Sequence, residues 1–221
     1  MRNPWIALPT SAPFVLDKDR PTVEAFNRVV KPRHKLQTHV LPEPFSGRVR
    51  TATVLVLQLN PGFAGSEARW HRNPAFARAL RANNAHQPLD YPQLGLDPAW
   101  ERTPGGRWAV PRLRRVVEAL GDIRRVARKL GSVEFHGYHS RQFRPIPVTL
   151  PSQHYGFELV RRAVRRNAVI VVVRGYDLWR VAVPELNDHS LVFRPHNAQS
   201  AYITEASLGR RGFRAVVAAL S

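Results

Sequence analysis

The segment Val54-Leu55-Val56-Leu57 runs directly into Gln58-Leu59-Asn60-Pro61-Gly62-Phe63. Consecutive aliphatics halted by Asn-Pro-Gly predict a buried strand that stops abruptly and turns. A strand that is apolar on both faces belongs inside a parallel sheet, with helices covering each side. Ligands of such sheets gather just beyond the carboxyl ends of the strands. Asn60 stands at that edge. Pro61 fixes the next φ, and Gly62 leaves room for a close approach. The chemistry of the chain is expected here.

A second run, Ala168-Val169-Ile170-Val171-Val172-Val173-Arg174-Gly175, reads the same way. Residues 132–136 and 191–193 are shorter strand candidates. Helical spacing is expected over 21–30, 74–83, 152–167 and 208–220, and in an amphipathic stretch that opens at Pro111 and is interrupted at Gly121-Asp122. Residues 84–108, with their prolines and Gly105-Gly106, read as a long loop. Alternating strands and helices predict an α/β fold: a three-layer α/β/α sandwich around a mostly parallel, four-stranded sheet. Residues 1–50 read as a proline-rich arm with one helix packed on the core, and residues 51–221 as a single α/β domain.

Composition narrows the partners. The net charge is +18 over 221 residues, nearly all of it from arginine. Such a field draws a protein toward polyanions, nucleic acid first, although an arginine-rich surface with no special partner gives the same count. There is no cysteine, which excludes disulfides, thiolate catalysis and Cys-ligated metal. No membrane-spanning run and no secretory leader is evident, so a cytoplasmic monomer with no membrane contact is expected. The arginines flanking Leu113–Leu130 and those of 161–166 read as solvated helix faces.

Each inferred strand ends in residues suited to hydrogen-bond chemistry: Asn60, then Tyr138-His139-Ser140, then Arg174-Gly175-Tyr176, then His196-Asn197-Ala198-Gln199-Ser200. On a parallel sheet these ends converge on one cleft. Plainer readings stand beside that one: Asn60-Pro61-Gly62 as a turn, His139 as a core histidine, His196-Asn197 as a capped loop, and Trp70, Trp100, Trp108 and Trp179 as packing residues. The phosphate-cradling G-x-x-x-x-G-K-[ST] and G-x-G-x-x-G loops are absent, as is a G-x-S-x-G elbow. His136-x-x-His139 with distant His154 offers metal donors, but no acidic residue is spaced to complete the set. No metal and no cofactor is expected.

These strand ends resemble the uracil-DNA glycosylase superfamily, and within it the mismatch-specific branch. The resemblance rests on Leu59-Asn60-Pro61-Gly62 and on Trp70-His71-Arg72-Asn73-Pro74-Ala75-Phe76, with Arg194-Pro195-His196-Asn197-Ala198-Gln199-Ser200 in the place of the family's late DNA-facing loop. It spans the order of elements from about Thr51 to Leu208. That late loop lacks the family's Pro-Ser pattern, and Tyr138-His139-Ser140 stands where the family commonly has a base-reading asparagine. The order Pro-Glu-Pro-Phe, Asn-Pro-Gly, Tyr-His-Ser points to a divergent branch.

The resemblance implies a monofunctional DNA glycosylase that flips a uracil-type, modified or mismatched base and hydrolyses its N-glycosidic bond. Asn60 would position the water, and His139 or His196 would stabilise the departing base. Phe63 or Phe76 would stack on that base beside Gly62, Tyr138 and Ser140, while Asn197, Gln199 and Ser200 would press on the DNA, single- or double-stranded. Two other readings are a non-catalytic DNA-binding protein on the same fold and an enzyme acting on a nucleotide.

Overall fold

The computed structural model describes residues 1–197 and 201–221. The chain begins with an irregular arm carrying α1 (Arg20–Val29), followed by the two-residue strand β1 (Phe45–Ser46). The central strand β2 (Val54–Gln58) leads to α2 (Glu67–His71) and α3 (Pro74–Asn84), then to α4 (Pro104–Leu120) and α5 (Ile123–Lys129). Strand β3 (Leu130–Glu134) is followed by α6 (Gln153–Arg165), β4 (Val169–Val172) and α7 (Tyr176–Ala182). Strand β5 (Val192–Phe193) and α8 (Glu205–Leu220) close the chain, and α8 is broken at Gly209, where φ is 70°.

Among the described residues the sheet has five strands in the order β1-β3-β2-β4-β5. Strands β3, β2, β4 and β5 run parallel, and β1 pairs antiparallel with β3. The expected four parallel strands are thus joined by a fifth at the edge, which makes the sheet mixed. Two residues are too few for periodicity to reveal, and Pro44 before Phe45 reads as a turn.

Alternation along the strands explains the layers. Leu55 and Leu57 face one side with Val133, Ile170 and Val172, and there pack with residues of α1, α3, α6 and α7. Val54 and Val56 face the other with Leu130, Val169 and Val171, beneath α4, α5 and α8. Both faces are dry, as the uninterrupted aliphatic runs require. The N-terminal arm belongs to the first of these cores through Trp5, Leu16, Phe26 and Leu41. No helix is long and apolar enough to cross a membrane.

Helix α4 begins at Pro104, well before the expected start at Pro111. Thr103 caps it, its Oγ1 accepting from the Gly106 N–H at 3.0 Å, and Pro104 takes the first-turn position where its missing N–H costs nothing. A side chain at Gly106 would meet the carbonyl oxygens of Trp100 and Glu101, so the glycine that reads as a breaker lets the helix start pack on the preceding turn. Pro111 then lies inside the helix.

Candidate functional site

Because β2 is central, with β3 and β4 on either side, the chain changes direction of progress across the sheet at this strand. Such a switch point opens a crevice at the carboxyl ends. A cavity of about 550 Å³ lies there, in the size range of small-molecule and cofactor sites. Asn60, Glu134, Ser140 and Arg174 line it from the ends of β2, β3 and β4, and Trp70, Phe76 and Trp108 contribute aromatic surface.

The Asn60 turn is pinned from both sides. The Gln58 carbonyl accepts from the Phe135 N–H and from Trp179 Nε1, and the ends of β2 and β3 stay paired through a parallel bridge between Gly62 and Ser140. Asn60 Nδ2 donates to the Pro61 carbonyl at 2.9 Å and to Ser140 Oγ at 3.0 Å. Ser140 Oγ in turn donates to the Gln142 carbonyl at 3.1 Å. Both amide protons of Asn60 are therefore committed, and Oδ1 is left as a fixed acceptor at the cavity.

Beneath this turn lie Glu43, His71 and His139. His139 is buried, with Nδ1 at 2.6 Å from the Gly62 carbonyl and Nε2 at 3.1 Å from the Leu41 carbonyl. Two carbonyl acceptors require a hydrogen on each nitrogen, so the ring is an imidazolium. Burial works against that charge, but Glu43, through both hydrogen bonding and its charge, raises the His139 pKa, helped by the Gly62 carbonyl and Glu67. Burial likewise opposes ionisation of Glu43, yet His139 and His71 hold its carboxyl well below the usual carboxylate range. Glu43 Oε1 lies 3.2 Å from His71 Nε2 and 3.5 Å from His139 Nε2.

These three side chains also bring one donor atom each within 4.8 Å of one another, which is a metal-ligating arrangement in composition. The hydrogen bonding does not fit a cation. A metal-bound histidine donates with its second nitrogen, whereas His71 Nδ1 accepts the Leu41 N–H at 3.0 Å. The ring proton of His71 must then sit on Nε2, the atom a metal would need. The trio is an ion-pair network. The His136, His139 and His154 combination is not assembled either: His136 stacks on Phe143, where burial pushes its pKa down to about 4, and His154 packs edge-on against Phe157.

The other expected residues divide cleanly. Asn60, Gly62, Phe76, His139 and Ser140 line the cavity. Tyr138 does not: it is buried, its hydroxyl donating to Asp19 Oδ2 at 2.7 Å and accepting from the Leu16 N–H at 3.3 Å. Asp19 Oδ1 accepts from the Ser152 N–H, so Tyr138 ties the N-terminal arm to the core. Tyr138→Phe should cost about 1–3 kcal/mol in a denaturant melt, because it strips a donor from a buried carboxylate; an unchanged midpoint would contradict this anchoring role. Phe63 turns away and meets His39 edge-on at 5.5 Å between ring centres. His196 is exposed outside the cavity, its N–H donating to the Ser207 carbonyl near the start of α8. Asn197 is exposed and also lies outside the cavity lining, and Gln199 and Ser200 lie outside the described residues.

Several cavity residues had no sequence signal strong enough to select them. Glu43 sits in Pro42-Glu43-Pro44, which reads as an extended approach, and Trp70 and Trp108 read as packing. Glu134 is the polar last residue of β3 and was detectable only by that position. Its Oε2 is sealed from solvent and has no hydrogen-bond partner among the described residues. Burial raises the Glu134 pKa well above the ordinary range, the Glu43 charge adds to this, and Arg174 opposes it.

The arginines of the helix faces are largely matched: Arg114 and Arg115 pair with Glu118, and Arg162 and Arg165 with Glu158. Arg141 and Arg174, exposed at the cavity mouth, make no ion pair among the described residues. The chain matches no protein-family model, no curated protein and no solved structure at significant similarity.

Proposed function

We propose that this protein is a monofunctional DNA glycosylase that takes a uracil-type, modified or mismatched base into the cavity and hydrolyses its N-glycosidic bond. The observation that carries the reading is Asn60: a carboxamide at the carboxyl end of the central strand, oriented by Ser140 so that its one uncommitted polar atom is an acceptor.

Arginines at the mouth, Arg141 and Arg174 among them, hold phosphates without reading sequence. The target nucleotide leaves the stack and enters the cavity, where Trp70, Phe76 and Trp108 offer aromatic surface to the base. Asn60 Oδ1 accepts a hydrogen bond from the attacking water and directs its lone pair at the anomeric carbon. An amide does not remove the water proton, so bond breaking runs ahead of attack, with positive charge developing on the sugar and negative charge on the departing base. His139 has no N–H left to offer that base, so its part is electrostatic: a fixed positive charge below the turn. The chain's lysines lie outside the cavity lining, which fits hydrolysis without strand scission.

The test is a panel of labelled single- and double-stranded oligonucleotides carrying uracil, thymine mismatches, hypoxanthine, xanthine or modified pyrimidines, treated with alkali after incubation. Alkali-dependent breaks at one class of base are expected, with none before alkali. Salt-sensitive DNA binding without base release would identify a non-catalytic binder, and saturable binding of a free nucleotide undiminished by salt would identify a nucleotide enzyme. Ser140→Ala should slow release about tenfold, because the Asn60 amide loses one of its two anchors and its acceptor is no longer fixed. Turnover equal to that of the intact protein would remove Ser140 from this positioning role.

A further inference from the structure

With His139 committed and His196 outside the cavity, neither histidine can donate to the departing base. The cavity holds another group that can. Glu134 projects from the carboxyl end of β3, directly opposite Gln58 in the β2–β3 register, and both line the cavity beside Asn60. No hydrogen bond within the described residues satisfies the Glu134 carboxyl, and one of its oxygens has no access to water. A sealed, unpartnered oxygen disfavours the charged form, and the part of this half-buried side chain that stays accessible lines the cavity, where a ligand can reach it.

We propose that the Glu134 carboxyl hydrogen-bonds the base held in this cavity and gives it a proton as the glycosidic bond breaks. The proton-transfer part rests on the glycosylase reading; the hydrogen bond to the base does not. The surroundings suit the acid form. Glu43, from the loop before β1, is held ionised by His71 of α2 and by His139, and its negative charge keeps a second carboxylate from forming nearby. The Arg174 charge, from beyond β4, works in the opposite sense, and the His139 cation, which lines the same cavity as Arg141, is already paired with Glu43. Gln58 on β2 carries no charge, and His136, two residues along the chain, is neutral near pH 7, with a pKa of about 4.

The step balances. The O–H bond of Glu134 and the carbon–nitrogen glycosidic bond break, and an N–H or O–H bond forms on the base, leaving a carboxylate beside a sugar cation. Water adds to the anomeric carbon, and the proton it sheds returns to Glu134. The base leaves neutral, so bases that are poor leaving groups as anions depend most on this residue.

The experiment is equilibrium binding of free uracil, cytosine, hypoxanthine and adenine to the intact chain, followed by tryptophan fluorescence, since Trp70 and Trp108 line the cavity. At least one base should bind, and its affinity should fall about tenfold or more as the pH rises over the range in which Glu134, raised by burial, loses its proton. Glu134→Gln keeps a donor but cannot ionise, so its binding should stay near the low-pH value throughout that range. Glu134→Met, which fills similar space without a donor, should bind weakly at every pH. Absence of binding by the intact protein would overturn the proposal, and so would a pH dependence that survives in Glu134→Gln. Base release from DNA at the intact rate by Glu134→Gln would remove the proton-transfer part while leaving the glycosylase reading standing. Conversely, base binding whose pH sensitivity Glu134→Gln abolishes, with no release from any DNA, would keep the Glu134 contact and sink the glycosylase reading.

Discussion

Glu43→Gln should destabilise the protein by about 3 kcal/mol, the lower end of the cost of breaking a buried ion pair by removing one partner. His139 is enclosed by two backbone carbonyls and the Glu43 carboxylate. Without that carboxylate the imidazolium must either stay buried and unpaired or give up a proton that one of the carbonyls needs. The lower end applies because the Glu43 side chain keeps 29% of its exposure and water screens part of the loss.

The pair also sets a pH profile. Glu43 is held below its ordinary value, so its contribution is present above about pH 4.5 and is lost as the pH falls through the lowered value. His139 is raised above its ordinary value, so its contribution is complete below about pH 6.5 and is lost as the pH rises through the raised value. Glu134 is raised too, and its effect also declines as the pH rises above about 4.5. Buried His136, with its pKa lowered to about 4, opposes the Glu134 trend with a contribution that grows up to about pH 6.5, so stability should peak on the acidic side of neutrality, between about pH 4.5 and about pH 6.5. In Glu43→Gln both limbs should flatten. Urea melts across the range read this directly, and a variant whose midpoint and profile match the intact protein would show that the trio carries no ion pair.

Asn60→Ala should lower base release by about a hundredfold or more, a size typical of losing a positioned polar group at the reacting centre. DNA binding should hardly change, because Asn60 carries no charge and the phosphate contacts fall to arginines. Stability should change little as well, since among the described residues the amide bonds Ser140 and its own turn alone. Asn60→Asp is the informative partner: a carboxylate at the same place accepts the same hydrogen bond and can also take the proton. It loses both N–H anchors of the amide, so its release rate should fall, but by less than that of Asn60→Ala. Equal losses in Ala and Asp would mean that the amide acts as a donor, and the water-positioning role would fall.

How much of this was legible in the sequence depends on the range of the interactions. Val54–Leu57 and Val169–Val172 declared themselves because a strand buried on both faces has no polar residue to interrupt it. The parallel pairing of β2 with β3 places Asn60 and Ser140 together at one edge, where they share a direct hydrogen bond. Boundaries failed where local chemistry opposes the usual reading: the Thr103 cap turns Pro104-Gly105-Gly106 into a helix start, and β1 is too short to show a period. Site residues failed where a side chain's role depends on partners distant in the chain. Glu43 belongs to the arm, yet it accepts from His71 and pairs with the His139 cation beneath the cavity. Tyr138 lies beside His139 in sequence but on the opposite side of the strand end, so it serves the core while its neighbours face the cavity. Trp70 and Trp108 look like any packing tryptophan until the cavity they border is seen.

The central claim is that Asn60 directs water in a base-releasing reaction, and single-turnover release at saturating protein tests it most directly. Intact protein and Asn60→Ala would be mixed with the same lesion-bearing duplex at equal DNA occupancy, and the freed base quantified. Release by the intact protein, with a loss of about a hundredfold in the variant at unchanged binding, is the predicted result. Equal release by both proteins, or none from either while the DNA stays bound, would contradict it.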